Sequence, residues 1–113
     1  MKRKAKREHF EHFTIAGFTY YDGALAFSKL RVGTRLKLVA EPKNQFDKNA
    51  VVLYLKKYKL GYIPRAHNRE ISKVLNAGYP IFSAYVQMVN PQKNPEEQVQ
   101  VIVFIEKNRD AKS

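Results

Sequence analysis

Six short segments of this chain have the residue pattern of β-strands, and turn-forming residues separate them. They cover residues 13–18, 35–39, 50–55, 60–63, 81–89 and 98–105. In the last segment, Val99, Val101 and Val103 fall on one face when side chains alternate. Six strands this short in 113 residues must shield their edges from solvent and from other chains. The pattern therefore predicts a mainly β fold, with a six-stranded barrel of the OB or SH3 type.

Two further segments have helical spacing. Asp22 can cap a short helix that carries Leu25, Ala26, Lys29 and Leu30 at spacings of one, three and one. A second amphipathic segment covers residues 66–77, and Gly78 follows it as the residue that can adopt the left-handed conformation at a helix end. We therefore predict two helices inserted into the barrel.

The positive charge of the chain is concentrated at its ends. The chain has 21 Lys and Arg against 10 Asp and Glu, whereas residues 8–106 hold only 13 basic against 9 acidic residues. We divide the chain into a basic flexible arm (1–9), a single domain (10–106) and a C-terminal tail (107–113). A basic arm is typical of proteins that attract nucleic acid or, less often, an acidic membrane surface. We predict nucleic acid and no membrane; an arm that only increases solubility is the alternative.

Several classes of protein do not fit the sequence. Residues 1–7 are not followed by the apolar stretch of a signal peptide, and no apolar run is long enough to cross a bilayer. We therefore expect a cytoplasmic protein. Cysteine is absent, which removes disulfides and thiolate metal sites. No HExxH, glycine-rich phosphate loop or GxSxG motif is present, so we expect no enzyme activity, no cofactor and no small-molecule substrate.

Aromatic residues are interleaved with Lys and Arg from residue 18 onward. Such a mixture is typical of proteins on which single-stranded bases stack while cations follow the phosphates, although aromatic residues in β proteins more often fill the core. Tyr20 and Tyr21 are informative, because adjacent residues of a strand point to opposite faces. Both can meet a ligand only if the chain leaves the strand there, as Asp22 and Gly23 indicate.

The polar loop of the segment EPKNQFDKNAVVLYL (residues 41–55) has two interpretations. Asn44 and Asp47 can bond to backbone N–H groups of their own loop, with Phe46 as a core plug. Alternatively, all three side chains contact a ligand. Glu41 and Asp47 could also hold Mg²⁺ in a metal-dependent nuclease, but two carboxylates six positions apart are more often a turn residue and a surface residue.

Three pieces of the sequence closely resemble the HIRAN domain family, over about residues 14–104. They are IAGFTYY, VGTRLKLVAEPKNQFDKNAVVL and LGYIPRAHN. The most specific match is the family's E-P-x-N-P-x-D-x-x-A loop followed by the L-G-Y-I-P strand. Gln45 departs from it, since the family usually has proline there, and this loss should leave the loop more mobile.

The resemblance implies an OB-like barrel that captures the free 3′-hydroxyl end of single-stranded DNA, as in eukaryotic fork-remodelling ATPases. By matching motif, Asp47 would accept a hydrogen bond from the 3′-hydroxyl, Phe46 would stack and Arg65 would hold a phosphate. Asn44 would fix the loop or the terminal base. Thr19 stands where eukaryotic members often have arginine. The implied site residues are Tyr20, Tyr21, Asn44, Phe46, Asp47, Lys48, Tyr62 and Arg65.

We therefore predict a non-catalytic single-stranded DNA-binding module that recognises the free 3′ end and serves DNA repair or replication-fork processing. A helicase or nuclease acting in trans is the expected protein partner. Two alternatives remain open from the residues. One is a general single-strand binder, of RNA included, without end preference, and the other is a protein-interaction module.

Overall fold

The structure is a computed structural model and describes residues 7–106. Its six strands form one antiparallel sheet in the order β1-β6-β5-β2-β3-β4. The strands are β1 (Arg7–Thr14), β2 (Arg35–Ala40), β3 (Val51–Leu55), β4 (Tyr58–Tyr62), β5 (Phe82–Val89) and β6 (Val99–Glu106). The helices are α1 (Gly23–Ala26) and α2 (Arg65–Asn76), and 3-10 turns cover Phe18–Tyr20, Phe27–Lys29 and Pro95–Glu97. The predicted class, mainly β with six strands and two helices, is confirmed.

One backbone bridge joins the two edge strands of the sheet. The N–H of Ala16, just after β1, donates to the carbonyl of Tyr62 at 2.9 Å, and the N–H of Tyr62 donates back to Ala16 at 2.9 Å. Gly61 makes this approach possible, because its φ is +143° and a Cβ there would lie 2.4 Å from the Ala16 carbonyl oxygen. The sheet thus curls into the predicted OB-like shape, although a single bridge replaces a full β1–β4 ladder.

The core lies on the concave face of the curled sheet. Val99, Val101 and Val103 of β6 are buried, as their alternation predicts, and Ile71 of α2 packs into the same cluster. Each such aliphatic side chain contributes about 1.5–3 kcal/mol when fully removed from water. These contacts fix α2, and with it the loop that α2 supports. No helix within residues 7–106 is long and apolar enough to cross a membrane.

The first strand differs from its prediction. β1 begins at Arg7, inside the range assigned to the flexible arm, and ends at Thr14; residues 1–6 of the arm and the tail at 107–113 lie outside the described residues. The prediction also missed residues 7–12, where most side chains are exposed and a register shift lies between His9 and Glu11. The predicted strand over 13–18 is wrong after Thr14, because Gly17 adopts φ +74° and a 3-10 turn follows.

The predicted cap of the short helix is also wrong. The Asp22 side chain makes no hydrogen bond to the first turn of α1. Its Oδ2 instead accepts the backbone N–H of Lys59 at 3.0 Å. Asp22 therefore ties α1 to β4, a long-range role that local spacing does not encode. α2 begins one residue before its prediction, and Gly78 follows it with φ +90° as expected.

Candidate nucleic-acid interface

A groove of about 370 Å³ lies where the end of β4, the start of α2, the turn after β1 and the loop at 41–50 meet. Six of the eight predicted site residues line it. The lining consists of Ala16, Tyr21, Asn44, Phe46, Asp47, Ala50, Tyr62, Ile63, Pro64 and Arg65. The groove is thus assembled from three segments that are far apart in sequence.

Asn44 organises the loop. Its Oδ1 accepts the backbone N–H of Phe46 at 2.8 Å and that of Asp47 at 3.1 Å, while its Nδ2 donates to Glu41 at 2.9 Å. This is the backbone-bonding arrangement considered for Asn44 from the sequence. The side chain thus fixes the loop although Gln45 replaces the family's proline.

Phe46 projects from the loop into solvent, with 83% of its surface exposed. The interpretation of Phe46 as a core plug is therefore wrong. Its carbonyl oxygen accepts a hydrogen bond from Nη2 of Arg65 at 2.8 Å, and its N–H is held by Asn44. An exposed aromatic ring on a backbone held from both sides is suited to stacking against a planar ligand.

Asp47 supports the loop and also faces the groove. Its Oδ1 accepts the N–H of Asn49 at 2.9 Å, and its Oδ2 accepts Nδ2 of the buried Asn68 at 2.9 Å. Nε of Arg65 lies 3.7 Å from the same Oδ2. The side chain remains 19% exposed, and a carboxylate offers about four acceptor positions. Asp47 can therefore accept one more hydrogen bond, from a donor in the groove.

A hydrogen-bonded network lies on the opposite wall. Lys59 Nζ donates to the Tyr62 hydroxyl at 3.1 Å, and that hydroxyl donates to Glu41 at 3.0 Å. The Lys59 nitrogen also lies 4.3 Å from the ring centroid of Tyr21. Glu41, considered above as a magnesium ligand with Asp47, is thus bonded within the protein. Among residues 7–106, no three His, Asp or Glu side chains come close enough to hold a metal ion.

The network shifts the acidity of its members. Burial alone would lower the pKa of Lys59, but its hydrogen bond to Tyr62 and the nearby Tyr21 and Glu41 outweigh burial, so the pKa is raised. Burial raises the pKa of Tyr62, and the bond to Glu41 adds to this against the opposing effect of Lys59. At neutral pH a cation, Lys59, therefore lies beside the protonated phenol of the groove residue Tyr62.

The remaining predicted residues lie outside the groove. Tyr20 does not line the groove and is 79% exposed, whereas its neighbour Tyr21 lines the groove and is 41% exposed. The chain leaves the strand before both residues, which confirms the inference from Asp22 and Gly23. Lys48 is exposed and does not line the groove. The hydroxyl and the N–H of Thr19 both donate to the Glu96 carboxylate. Thr19, which stands where eukaryotic family members often have arginine, is therefore held against the loop before β6.

Two contributors to the site were not identified from the sequence. Lys59 reaches Tyr21 and Tyr62 because a register shift between β3 and β4 alters which β4 side chains share a face. Asn68 lies on the buried side of α2, where it meets Asp47 from 21 positions away. Because buried polar side chains are almost always hydrogen-bonded, a buried asparagine in a helix indicates that a partner exists. It does not identify which residue that partner is.

Comparison with known proteins agrees with this geometry. The family model of the HIRAN domain matches residues 10–108. A crystal structure of a protein from Lactobacillus plantarum is similar, with a TM-score of 0.76 and 25% identity over 93% of this chain and 100% of that chain. The HIRAN domain of human HLTF has the same fold, with a TM-score of 0.62 and 14% identity over 94% and 78% of the two chains. No curated protein sequence matches the chain.

Proposed function

Because this chain belongs to the HIRAN domain family, we propose that it is a non-catalytic module that holds single-stranded DNA by its free 3′-hydroxyl end. The observation that carries the proposal is the juxtaposition of an exposed ring and a partly exposed carboxylate on one loop. Phe46 projects beside the groove, and Asp47 faces into it.

Phe46 and Tyr21 supply the surfaces for bases. Both rings are accessible on the groove, on separate segments of the chain. A base stacked on an aromatic side chain contributes about 1–3 kcal/mol without regard to its identity. The groove therefore binds DNA ends of differing sequence.

Arg65 and Lys59 supply the charge for phosphates. The Arg65 side chain is 74% exposed and uses Nη2 for the Phe46 carbonyl, which leaves other guanidinium N–H groups for a phosphate oxygen. The Lys59 ammonium lies 4.3 Å from the ring centroid of Tyr21 and 4.9 Å from that of Tyr62. Phosphates on the 5′ side of the terminal nucleotide can thus meet a cation.

Asp47 supplies the selectivity for an end. A carboxylate repels the phosphates of DNA at close range, so it is favourable in this groove only when the ligand brings a hydrogen-bond donor. The terminal 3′-hydroxyl is such a donor, and an internal nucleotide or a 3′-phosphate has none at that atom. Holding an end without cleaving it serves DNA repair or replication-fork processing, with a helicase or nuclease acting in trans.

The test compares two short DNA strands that differ only in a 3′-hydroxyl or a 3′-phosphate, by fluorescence anisotropy at moderate salt. Wild type is expected to bind the hydroxyl end at least several-fold more tightly. Asp47→Asn should lose that preference, because the substituted amide weakens the acceptor. Asn68→Ala is the matched control, since it removes support from the loop but leaves the carboxylate, so the preference should persist.

Other outcomes favour other functions. Equal binding of both ends by wild type and Asp47→Asn means a general single-strand binder, in which Asp47 only shapes the loop. A chain with no salt-dependent binding of DNA or RNA is instead a protein-interaction module. Thermal unfolding of each variant shows whether a lost preference reflects an unfolded protein.

A further inference from the structure

A row of side chains continues from the groove onto the convex face of the sheet, the face opposite the core. Lys59 of β4 pairs with Tyr54 of β3, and Tyr54 with Lys37 of β2. Directly opposed residues of an antiparallel sheet share a face. Lys59, which contacts the groove rings of Tyr21 and Tyr62, thus begins a basic and aromatic row that leads away from the groove.

The next row has the same composition. Arg35 lies two residues before Lys37 on β2, so the two side chains point the same way. Arg35 pairs with Tyr85 of β5, and its guanidinium carbon is 5.7 Å from the centroid of that ring. The convex face therefore alternates cations and rings across the middle of the sheet.

The strand at the other edge of the sheet, β1, adds a further cation to this face. The guanidinium carbon of Arg7 lies 4.2 Å from the ring centroid of Phe104 and 5.1 Å from that of Tyr85. A guanidinium stacked on a ring keeps its N–H donors free at its edges. Within residues 7–106, no carboxylate lies within 4.0 Å of the charged atoms of Arg7, Arg35, Lys37 or Lys59, although Glu106 is opposite Arg7 in the strand register.

We propose that this convex face carries the single-stranded DNA that leads away from the 3′ end held in the groove. The proposal rests on the proposed function for the direction of the strand. The face supplies rings for unpaired bases, and cations that have no carboxylate partner within residues 7–106 for the phosphates, the combination that single strands require. It is continuous with the groove through Lys59. Four of the six residues that precede Arg7 are also basic, which adds positive charge at the far edge.

The size of the face sets the length of DNA it can hold. Six strands in one sheet are separated by five spacings of about 4.8 Å, or about 24 Å in total. At about 3.4 Å per stacked nucleotide this corresponds to roughly seven nucleotides, within the range of about 4–16 that a single OB-type fold occupies.

The experiment measures the affinity of the full chain for 3′-hydroxyl oligonucleotides of about three to about twelve nucleotides. For wild type, affinity is expected to rise up to roughly seven nucleotides and then level off. The double variant R35Q/K37Q should bind the longer strands roughly five- to tenfold more weakly and lose about 1.4 from the slope of log affinity against log salt. Its affinity for the trinucleotide should be unchanged.

The matched control is K73Q/K93Q, which removes the same charge from α2 and from the loop before β6. It should retain the length dependence. The proposal is overturned if wild type binds all lengths alike, or if the two double variants lose affinity equally. The preference for a 3′-hydroxyl over a 3′-phosphate is measured on the trinucleotide. Wild type could show no such preference while affinity still rises with length and R35Q/K37Q still weakens binding of the longer strands. That result overturns end capture and supports the path of the strand along the convex face.

Discussion

At the scale of single residues, neighbouring side chains of the loop at 41–50 have different roles: one stabilises the loop and another is exposed to a ligand. Asn44 holds the backbone, and its oxygen accepts two N–H groups. Phe46 makes no side-chain hydrogen bond and is almost fully exposed, so its ring adds little to the stability of the free protein. Large exposed aromatic side chains on soluble proteins often mark binding surfaces. A substitution of Phe46 should therefore change DNA binding while leaving the stability of the fold nearly unchanged.

Phe46→Ala should weaken binding of single-stranded DNA by about 1–3 kcal/mol, since it removes one stacking surface. The free energy of unfolding should change by less than about 0.5 kcal/mol, as is usual for exposed positions. Anisotropy titration and urea unfolding measure the two quantities. Val32→Ala is the control, because Val32 is also largely exposed and does not line the groove. Unchanged DNA binding by Phe46→Ala would remove this ring from the site.

At the scale of elements, the bridge between the segment after β1 and the end of β4 holds one wall of the groove. Ala16 and Tyr62 both line the groove and bond to each other through their backbones. Gly61 lies beside the bridge, with the Ala16 carbonyl in the space that a Cβ would occupy. The position of this groove wall therefore depends on a close backbone contact between segments that are far apart in the sequence.

Gly61→Ala should destabilise the fold by more than about 1 kcal/mol, because the new Cβ must displace the Ala16 backbone. Gly33→Ala provides the control: Gly33 also has a positive φ, +93°, but nothing lies within 4 Å of its Cβ position. Because an alanine is strained by positive φ at both positions, a clearly lower melting temperature for Gly61→Ala than for Gly33→Ala is the expected sign of the clash. Equal melting temperatures would show that the close approach is not required.

The elements also show which features local sequence encodes. Alternation identified β2 and β6, strand-forming residue types identified β3 and β5, and helical spacing with Gly78 identified α2, each within one residue. Alternation failed for β1, since the irregularity after His9 interrupts it and exposed side chains fill the start of the strand. Motif resemblance identified most of the groove. It did not identify Lys59 or Asn68, because each acts through a partner that only the folded chain brings close.

At the scale of the whole molecule, the sheet presents two surfaces of different chemistry. The concave face holds the aliphatic core, and the convex face carries Arg7, Arg35, Lys37 and Lys59 with interleaved rings. The groove lies where the curled sheet brings its two edges together.

The most direct test of the central claim is to locate a bound DNA end on the protein. The ¹⁵N-labelled chain is titrated with a trinucleotide that has a free 3′-hydroxyl, and amide chemical shifts are followed by NMR. The largest changes are predicted at Tyr21, Phe46, Asp47 and Arg65, with small changes at Lys37. Changes confined to other surfaces, with the amides of the groove unmoved, would contradict capture of the 3′ end in this groove.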